Sequence, residues 1–321
     1  MEFGNFEKVV EKPEIRQIAE SILKEPIRSA AQICERWGEK EEEVREYDAY
    51  VITSGCKKAI LKKTEKIEAD IYKEYLSKGE FNVPHLFGTV QKENETWICI
   101  QCIEGNDLRD MTDGKALSAA KTLSAVQMYF WTDRLECSPE NTVENRFVTY
   151  WRRVLRRASF VADKPVLRKA YQIFLDRQLT CPCTLSSGDF LEYNAVFDGK
   201  KVVMIDWGFG GMMPYSLDIA RFIAHATETR STFPFYMTDA QKELFLNEIY
   251  EHLKEKITYE QYRFDVKLAL LNEYVEFVEA DEDVDNWYIT HAEKIALEIC
   301  KDEENIRATE NIFAANAGCE K

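Results

Sequence analysis

The sequence predicts an α+β protein of two lobes. Residues 1–105 form a small antiparallel β lobe with one helix, and residues 106–321 form a larger, mostly helical lobe containing one β-hairpin. Three observations carry this expectation. Runs of β-branched and aromatic residues bounded by turn residues crowd the stretch from Tyr47 to Gly105. After Asp107, apolar residues recur at helical spacing over long segments. One short segment inside that helical part breaks the pattern, with Asp198-Gly199 set between Ala195-Val196-Phe197 and Val202-Val203-Met204-Ile205, a strong hairpin signal. A chain of 321 residues exceeds the usual size of a single core and suits one large domain or two lobes.

The first elements follow from local pattern. A helix begins near Pro13 and ends at Pro26, because proline has no N–H to continue the ladder. Strands over Tyr47–Thr53 and Lys57–Lys63 are joined by a tight turn at Ser54-Gly55. The helix after them aligns Ile67, Ile71, Tyr75 and Leu76 on one face and stops near Gly79. Two more strands lie in NVPHLFGTVQKENETWICIQCIEG, with a polar turn at Glu93–Glu95. Helices are expected at Ala116–Leu135, Phe147–Phe160, Val166–Leu179, Ala240–Leu253, Glu260–Glu279 and Trp287–Cys300. Capping boxes start two of them, Thr238 with Gln241 and Thr258 with Gln261.

Composition excludes several classes. Net charge is −15, from 57 acidic and 42 basic side chains, which opposes tracking of a nucleic-acid backbone or an anionic membrane and mildly favours a cationic small substrate. The charged N-terminus lacks an apolar core, and no run approaches the roughly 18 apolar residues of a spanning helix, so the expected location is cytoplasmic. Nine cysteines, an odd number scattered from Cys34 to Cys319, do not form a disulfide framework. Cys181-Pro-Cys183 has no matching Cys or His pair beside it and reads as buried thiols.

The chemistry gathers in SSGDFLEYNAVFDGKKVVMIDWG, Ser186 to Gly208. A lone Gly-Asp turn is ordinarily only a turn, and an Asn before a strand is often a local cap. Here, however, the hairpin returns a second Asp, Asp206, toward Asp189 and Asn194, so three oxygen-bearing side chains converge. Phosphoryl transfer needs such a set: a group to orient the attacking hydroxyl, and oxygen ligands for Mg²⁺ on the phosphates. Asp189 would accept the hydroxyl proton, and Asn194 and Asp206 would hold the metal. The segment resembles the Brenner motif of the aminoglycoside phosphotransferase family, protein-kinase-like small-molecule kinases, as Ser187-Gly188-Asp189 followed by Asn194 and by Ile205-Asp206-Trp207. Ser187 stands where the family motif has His, a loop-bracing position. Pro214-Tyr-Ser-Leu-Asp218-Ile-Ala220 resembles a further family motif whose Asp supports the loop.

That resemblance implies a protein-kinase-like fold and extends through the first half in order. Ala59-Ile60-Leu61-Lys62 is similar to the third-strand pattern whose Lys reaches the α/β-phosphates. Period-2 alternation lets only Lys62 or Lys63 face the cleft, and Lys62 is preferred. Its carboxylate partner would be Glu68, in a Glu-x-x-x-Tyr helix, with Glu65 as rival. Trp97–Gly105 resembles the hinge; by that resemblance the backbones of Gln101 and Ile103 would bond the base, with Ile100 and Ile205 as apolar walls. The implied cofactors are ATP or GTP with Mg²⁺. The phosphate-covering loop departs from the pattern, because Trp37–Glu46 holds one glycine and five glutamates.

Only eleven residues separate Asp206 from Asp218, too few for a peptide-binding segment, so the expected acceptor is a small molecule bearing a hydroxyl, such as an aminoglycoside or another amino-alcohol. The run Glu273–Tyr288 carries seven carboxylates and four aromatics. It reads either as a surface for an amine or as a solvated acidic face with its rings turned inward. The alternative to an active kinase is a pseudokinase-like binding or scaffold protein with the same fold and no turnover.

Overall fold

The computed structural model describes residues 4–36, 44–55, 57–133, 142–226, 235–280, 283 and 285–317. The acidic loop's first seven residues, 37–43, lie outside them, as do Asp281 and Glu282. The chain divides into two compact units, Met1–Leu108 with Tyr193–Gly210, and Arg109–Glu192 with Gly211–Lys321.

The first unit is built on a six-stranded antiparallel sheet. Its strands are β1 (Gly4–Val9), β2 (Ser29–Arg36), β3 (Val44–Ser54), β4 (Lys57–Thr64), β5 (Leu86–Lys92) and β6 (Glu95–Gln101), in spatial order β1-β2-β3-β4-β6-β5. The helix expected from Pro13 is α1 (Pro13–Leu23), and the two strands that flank it, β1 and β2, enlarge the β lobe beyond its sequence-based outline. β1 escaped pattern reading because it is an edge strand whose Val9 faces solvent. Pro13 opens α1, and Lys24 closes it in the left-handed conformation, its N–H donating to the Glu20 carbonyl. Ile15, Ile18 and Ala19 of α1 form a core with Tyr50, Ile52, Ala59, Leu61, Trp97 and Cys99 on one face of the sheet. Alternation then sends Ile60 and Lys62 to the opposite face. There Val51, Ile60, Ile100 and Leu86 pair in register as an apolar row across four strands.

The helix after β4 changes winding along its length. It starts as α2 (Lys66–Asp70), continues as a π-turn over Ile71–Tyr75 and tightens to a 3₁₀ turn before Gly79. The hairpin of β8 (Ala195–Phe197) and β9 (Val202–Met204) also belongs to the first unit. Asp198 Oδ1 accepts from the N–H groups of Lys200 and Lys201, each at 2.8 Å, and Gly199 supplies the positive φ of +91° that the turn requires. Met204 N donates to the Asn82 carbonyl, and Phe197 bridges Asn106, so the hairpin is tied to the chain on either side of β5–β6. Gly105 permits this close approach, since a Cβ there would collide with the Phe197 carbonyl.

Among the described residues, the second unit is helical apart from one strand pair, β7 (Cys183–Ser186) with β10 (Gly211–Pro214). Its described helices are α3 (Asp113–Tyr129), α4 (Arg146–Arg157), α5 (Pro165–Gln178), α6 (Ser216–Ala224), α7 (Asp239–Leu253), α8 (Tyr259–Glu279) and α9 (Trp287–Ala317). Tyr150, Leu167, Tyr171, Phe174, Leu271 and Ile299 centre the core that α4, α5, α8 and α9 share. Arg177 and Asp265 form a bidentate pair at 2.7 and 2.8 Å, and Tyr215 donates to the same carboxylate at 3.0 Å. The capping box at Thr238 is complete. At Thr258 only half of one forms, because Gln261 turns its side chain to Asp265 at 2.8 Å. Among the described residues, no helix is long and apolar enough to cross a membrane.

Two glycines give opposite expected outcomes in chemical denaturation. Gly105→Ala forces a Cβ onto the Phe197 backbone and lowers stability by about 1–3 kcal/mol. Gly114→Ala lies inside α3 with open space around the new methyl and raises stability by up to about 1 kcal/mol. Equal effects at the two sites would contradict the tight passage at Gly105.

Candidate active site

In the first unit, Lys62 Nζ lies 3.1 Å from Glu68 Oε1 and 2.6 Å from Asp206 Oδ1. Glu68 is buried, at 1% exposure, and also accepts from the Thr64 hydroxyl and from the Trp207 backbone N–H at 3.3 Å. Strand alternation decides between the two lysines: Lys63 points the other way and pairs with Glu95 at 2.6 Å. Helix geometry decides between the two glutamates, because Glu65 is the exposed N-cap of α2 whereas Glu68 faces inward from its first turn. Burial alone would push the Lys62 ammonium down, but the Glu68 and Asp206 carboxylates outweigh it and hold the pKa above the ordinary lysine value.

Asn194 and Asp206 flank the open end of the β8–β9 hairpin, where the Ile205 N–H donates to the Asn194 carbonyl at 2.9 Å. Asp206 holds a left-handed φ of +56°, a conformation that costs a non-glycine residue about 1–3 kcal/mol and recurs at functional sites. This turn sets Asp206 outward, with its side chain 46% exposed, while the adjacent Trp207 is fully buried. Gly208 N–H donates to Asp206 Oδ1 at 3.4 Å. Lys62 already shows that Asp206 attracts a cation. One carboxylate and one amide oxygen are oxygen donors of the kind that Mg²⁺ takes alongside phosphate and water.

Gln101, Cys102, Ile103 and Glu104, in the segment expected to form the hinge, line an open cleft of about 420 Å³ with Lys58 and Asp198, all within the first unit. Lys58 and Glu104 form an exposed ion pair at 3.3 Å across it. Gln101 donates its N–H to the His85 carbonyl at 2.8 Å. Ile100 sits in the apolar cross-strand row, and Ile205 is half-buried beside Asp206.

In the second unit, Asp189 follows β7 on a loop organised by Asp218 of α6. Asp218 accepts from the N–H groups of Ser187 at 2.8 Å and Gly188 at 3.1 Å, and from the Ser187 hydroxyl at 3.3 Å. Ser187 Oγ in turn accepts from Asp189 N at 3.4 Å, so this serine braces the loop by itself. Burial pushes the Asp218 carboxyl up to about 6, against those hydrogen bonds, which pull it down.

Sequence reading missed Arg221. It lies three residues after Asp218 on α6, a spacing that puts both on one helix face, which was the available signal. Its Nε and Nη2 donate to Asp189 Oδ1 at 3.1 and 2.8 Å, and its Nη1 donates to Glu273 Oε2 at 2.8 Å. Burial pushes the Glu273 carboxyl up to about 7 in spite of Arg221.

Much of the acidic run is therefore internal. Glu273 and Glu276 face Arg221, while Glu276 and Glu279 pair with the buried Arg157. Asp283 accepts from the first N–H groups of α9, at Tyr288 and Ile289. Tyr288 is buried against Phe277.

The raised Asp218 pKa fixes the sign of a pH effect. A carboxyl whose folded pKa exceeds its ordinary 3.8 contributes stability below about pH 4 that is lost as pH rises through about 6. The stability advantage of the wild type over Asp218→Asn should therefore narrow between pH 4 and 7, by up to about 3 kcal/mol. Denaturation of both proteins across that range checks this, and a constant gap would contradict it.

No family model matches the sequence, and no curated protein matches it. Solved structures do. Choline kinase LicA from Streptococcus pneumoniae superposes at TM-score 0.51 with 14% identity, covering 90% of this chain and 98% of that one. A structure of LicA in complex with AMP gives 0.50 at 15% identity, covering 91% and 98%. Amicoumacin kinase hAmiN, in complex with AMP-PNP, Ca²⁺ and Ami, gives 0.54 at 11% identity, covering 80% and 85%. The chain has the fold of the protein-kinase-like small-molecule kinases.

Proposed function

We propose that the protein transfers the γ-phosphoryl group of ATP, or GTP, to a hydroxyl of a small molecule with Mg²⁺ as cofactor. The observation that carries this reading is the Lys62–Glu68–Asp206 cluster, with Asp206 turned outward at a left-handed φ beside Asn194. A purely structural ion pair would not require the strained backbone at Asp206. Nucleotides in the LicA and hAmiN structures support the same reading.

Each side chain then has a task. Lys62, held by Glu68, sets its ammonium against the α/β-phosphates. The hinge backbone at Gln101 and Ile103 meets the base, and Ile100 and Ile205 supply apolar walls. Asn194 and Asp206 hold Mg²⁺, which when bound neutralises charge on the β- and γ-phosphates. Asp189 orients the acceptor hydroxyl and takes its proton as the new O–P bond forms, while the nucleoside diphosphate leaves with the electron pair of the old one. Asp189 and Asn194 are five residues apart, so the chain itself limits their separation.

The acceptor is a small hydroxyl compound, and an aminoglycoside or other amino-alcohol is the class that the motif resemblance favours. The segment after Asp206 is consumed by β10 and the start of α6, which argues against a peptide acceptor. Most of the described carboxylates in the 273–288 run already have internal partners, so that run is not the feature that selects an amine.

Millimolar MgATP is expected to raise the melting temperature of the wild type and not that of Asp206→Ala. No shift in the wild type would favour the binding or scaffold alternative and sink the kinase reading. Across a panel of amino-alcohols, aminoglycosides, macrolides and sugars, Asp189→Asn should lower kcat by about 10²–10⁴-fold while the MgATP-induced shift persists. An unchanged rate would show that the base lies elsewhere.

A further inference from the structure

Arg221 makes a contact that helix packing alone does not call for. Its guanidinium is 15% exposed and fixed on several sides: Glu273 at 2.8 Å, Glu276 at 3.6 Å, and the Phe277 ring 5.5 Å from Cζ, all on α8. Those contacts suffice to join α6 to α8. The remaining edge of the fork, Nε with Nη2, is spent on a loop side chain, and both donors converge on one oxygen, Asp189 Oδ1. Arg157 of α4 holds Glu276 and Glu279 from the other side, so the fork cannot swing toward α8 without breaking a buried network.

We infer that Arg221 is the positioning residue for Asp189: its two donors hold the carboxylate through Oδ1, so that the acceptor hydroxyl meets an oriented group. This rests on the reading of Asp189 as the base. An adjacent cation weakens a carboxylate as a proton acceptor, which would be a defect if the proton had to move early. In phosphoryl transfer through a loose transition state the proton moves late, and orientation matters more than basicity.

The test uses the full chain labelled with ¹³C at the aspartate carboxyl carbons, the Asp189 signal being assigned by its loss in Asp189→Asn. Arg221→Gln alone leaves Glu273 buried without its partner, so the working variant is Arg221→Gln with Glu273→Gln, which removes both charges together. In that variant the Asp189 titration midpoint should rise by about one unit or more. Arg221→Lys, which keeps the charge but not the fork, should hold the midpoint near the wild-type value and recover only part of the turnover. Phosphoryl transfer from MgATP across the acceptor panel should fall at least tenfold in the double variant, with the MgATP-induced thermal shift retained. An unmoved midpoint overturns the inference, and so does a moved midpoint with unchanged turnover. Absence of transfer by the wild type itself would overturn the kinase reading beneath it, which the midpoint alone would not.

Discussion

A carboxylate removed from water must find donors, and this constraint organises both units of the protein. Glu68 is almost fully buried and satisfies itself with Lys62, Thr64 and the backbone of Trp207. Those three partners come from β4, its C-terminal end and the segment after β9. The need to satisfy one acid therefore draws together three stretches that are distant in sequence. Asp206 is placed by the same demand: Trp207 must enter the core with its N–H on Glu68, and the preceding residue is turned outward at a positive φ.

The second unit repeats the device with different residues. Asp218 is buried beneath the loop and takes its donors from that loop's own backbone, which fixes the course of the chain through Ser187 and Gly188. Glu273 is buried on α8 and takes Arg221, whose other edge reaches Asp189. Each exposed or half-exposed acid proposed for chemistry is thus held by a basic or backbone donor that answers to a buried acid behind it. Such networks are costly to break from one side, because the remaining charge is left without a partner. They suit a site in which orientation contributes more than strong covalent chemistry.

The same demand for donors accounts for much of the acidic run on α8. A net charge of −15 suggested an acidic surface available to a cationic ligand. Yet Glu273, Glu276 and Glu279 face arginines of α4 and α6, and Asp283 caps α9. In a sequence these acids form a conspicuous cluster. In space most of the described members are spent on helix packing, since Arg157 of α4 is buried against α8.

What the sequence determined by itself was local: the β-rich and helix-rich halves, the Asp198-Gly199 hairpin, the cap at Thr238, and the spacing of Asp189, Asn194 and Asp206, with Lys62 or Lys63 and Glu68 or Glu65 left open. These follow from periodicity, turn chemistry and short spacings, which depend on neighbours along the chain. What only the tertiary structure decided depends on burial and on long-range pairing. It chose Lys62 over Lys63 and Glu68 over Glu65, because strand pleat and helix phase acquire an inside only once the sheet has a core. It added β1 and β2, whose edge position and small residues leave a faint pattern. It brought Arg221 to Asp189 across 32 residues, a contact set by the packing of α6 under the loop and by a buried glutamate 52 residues further on.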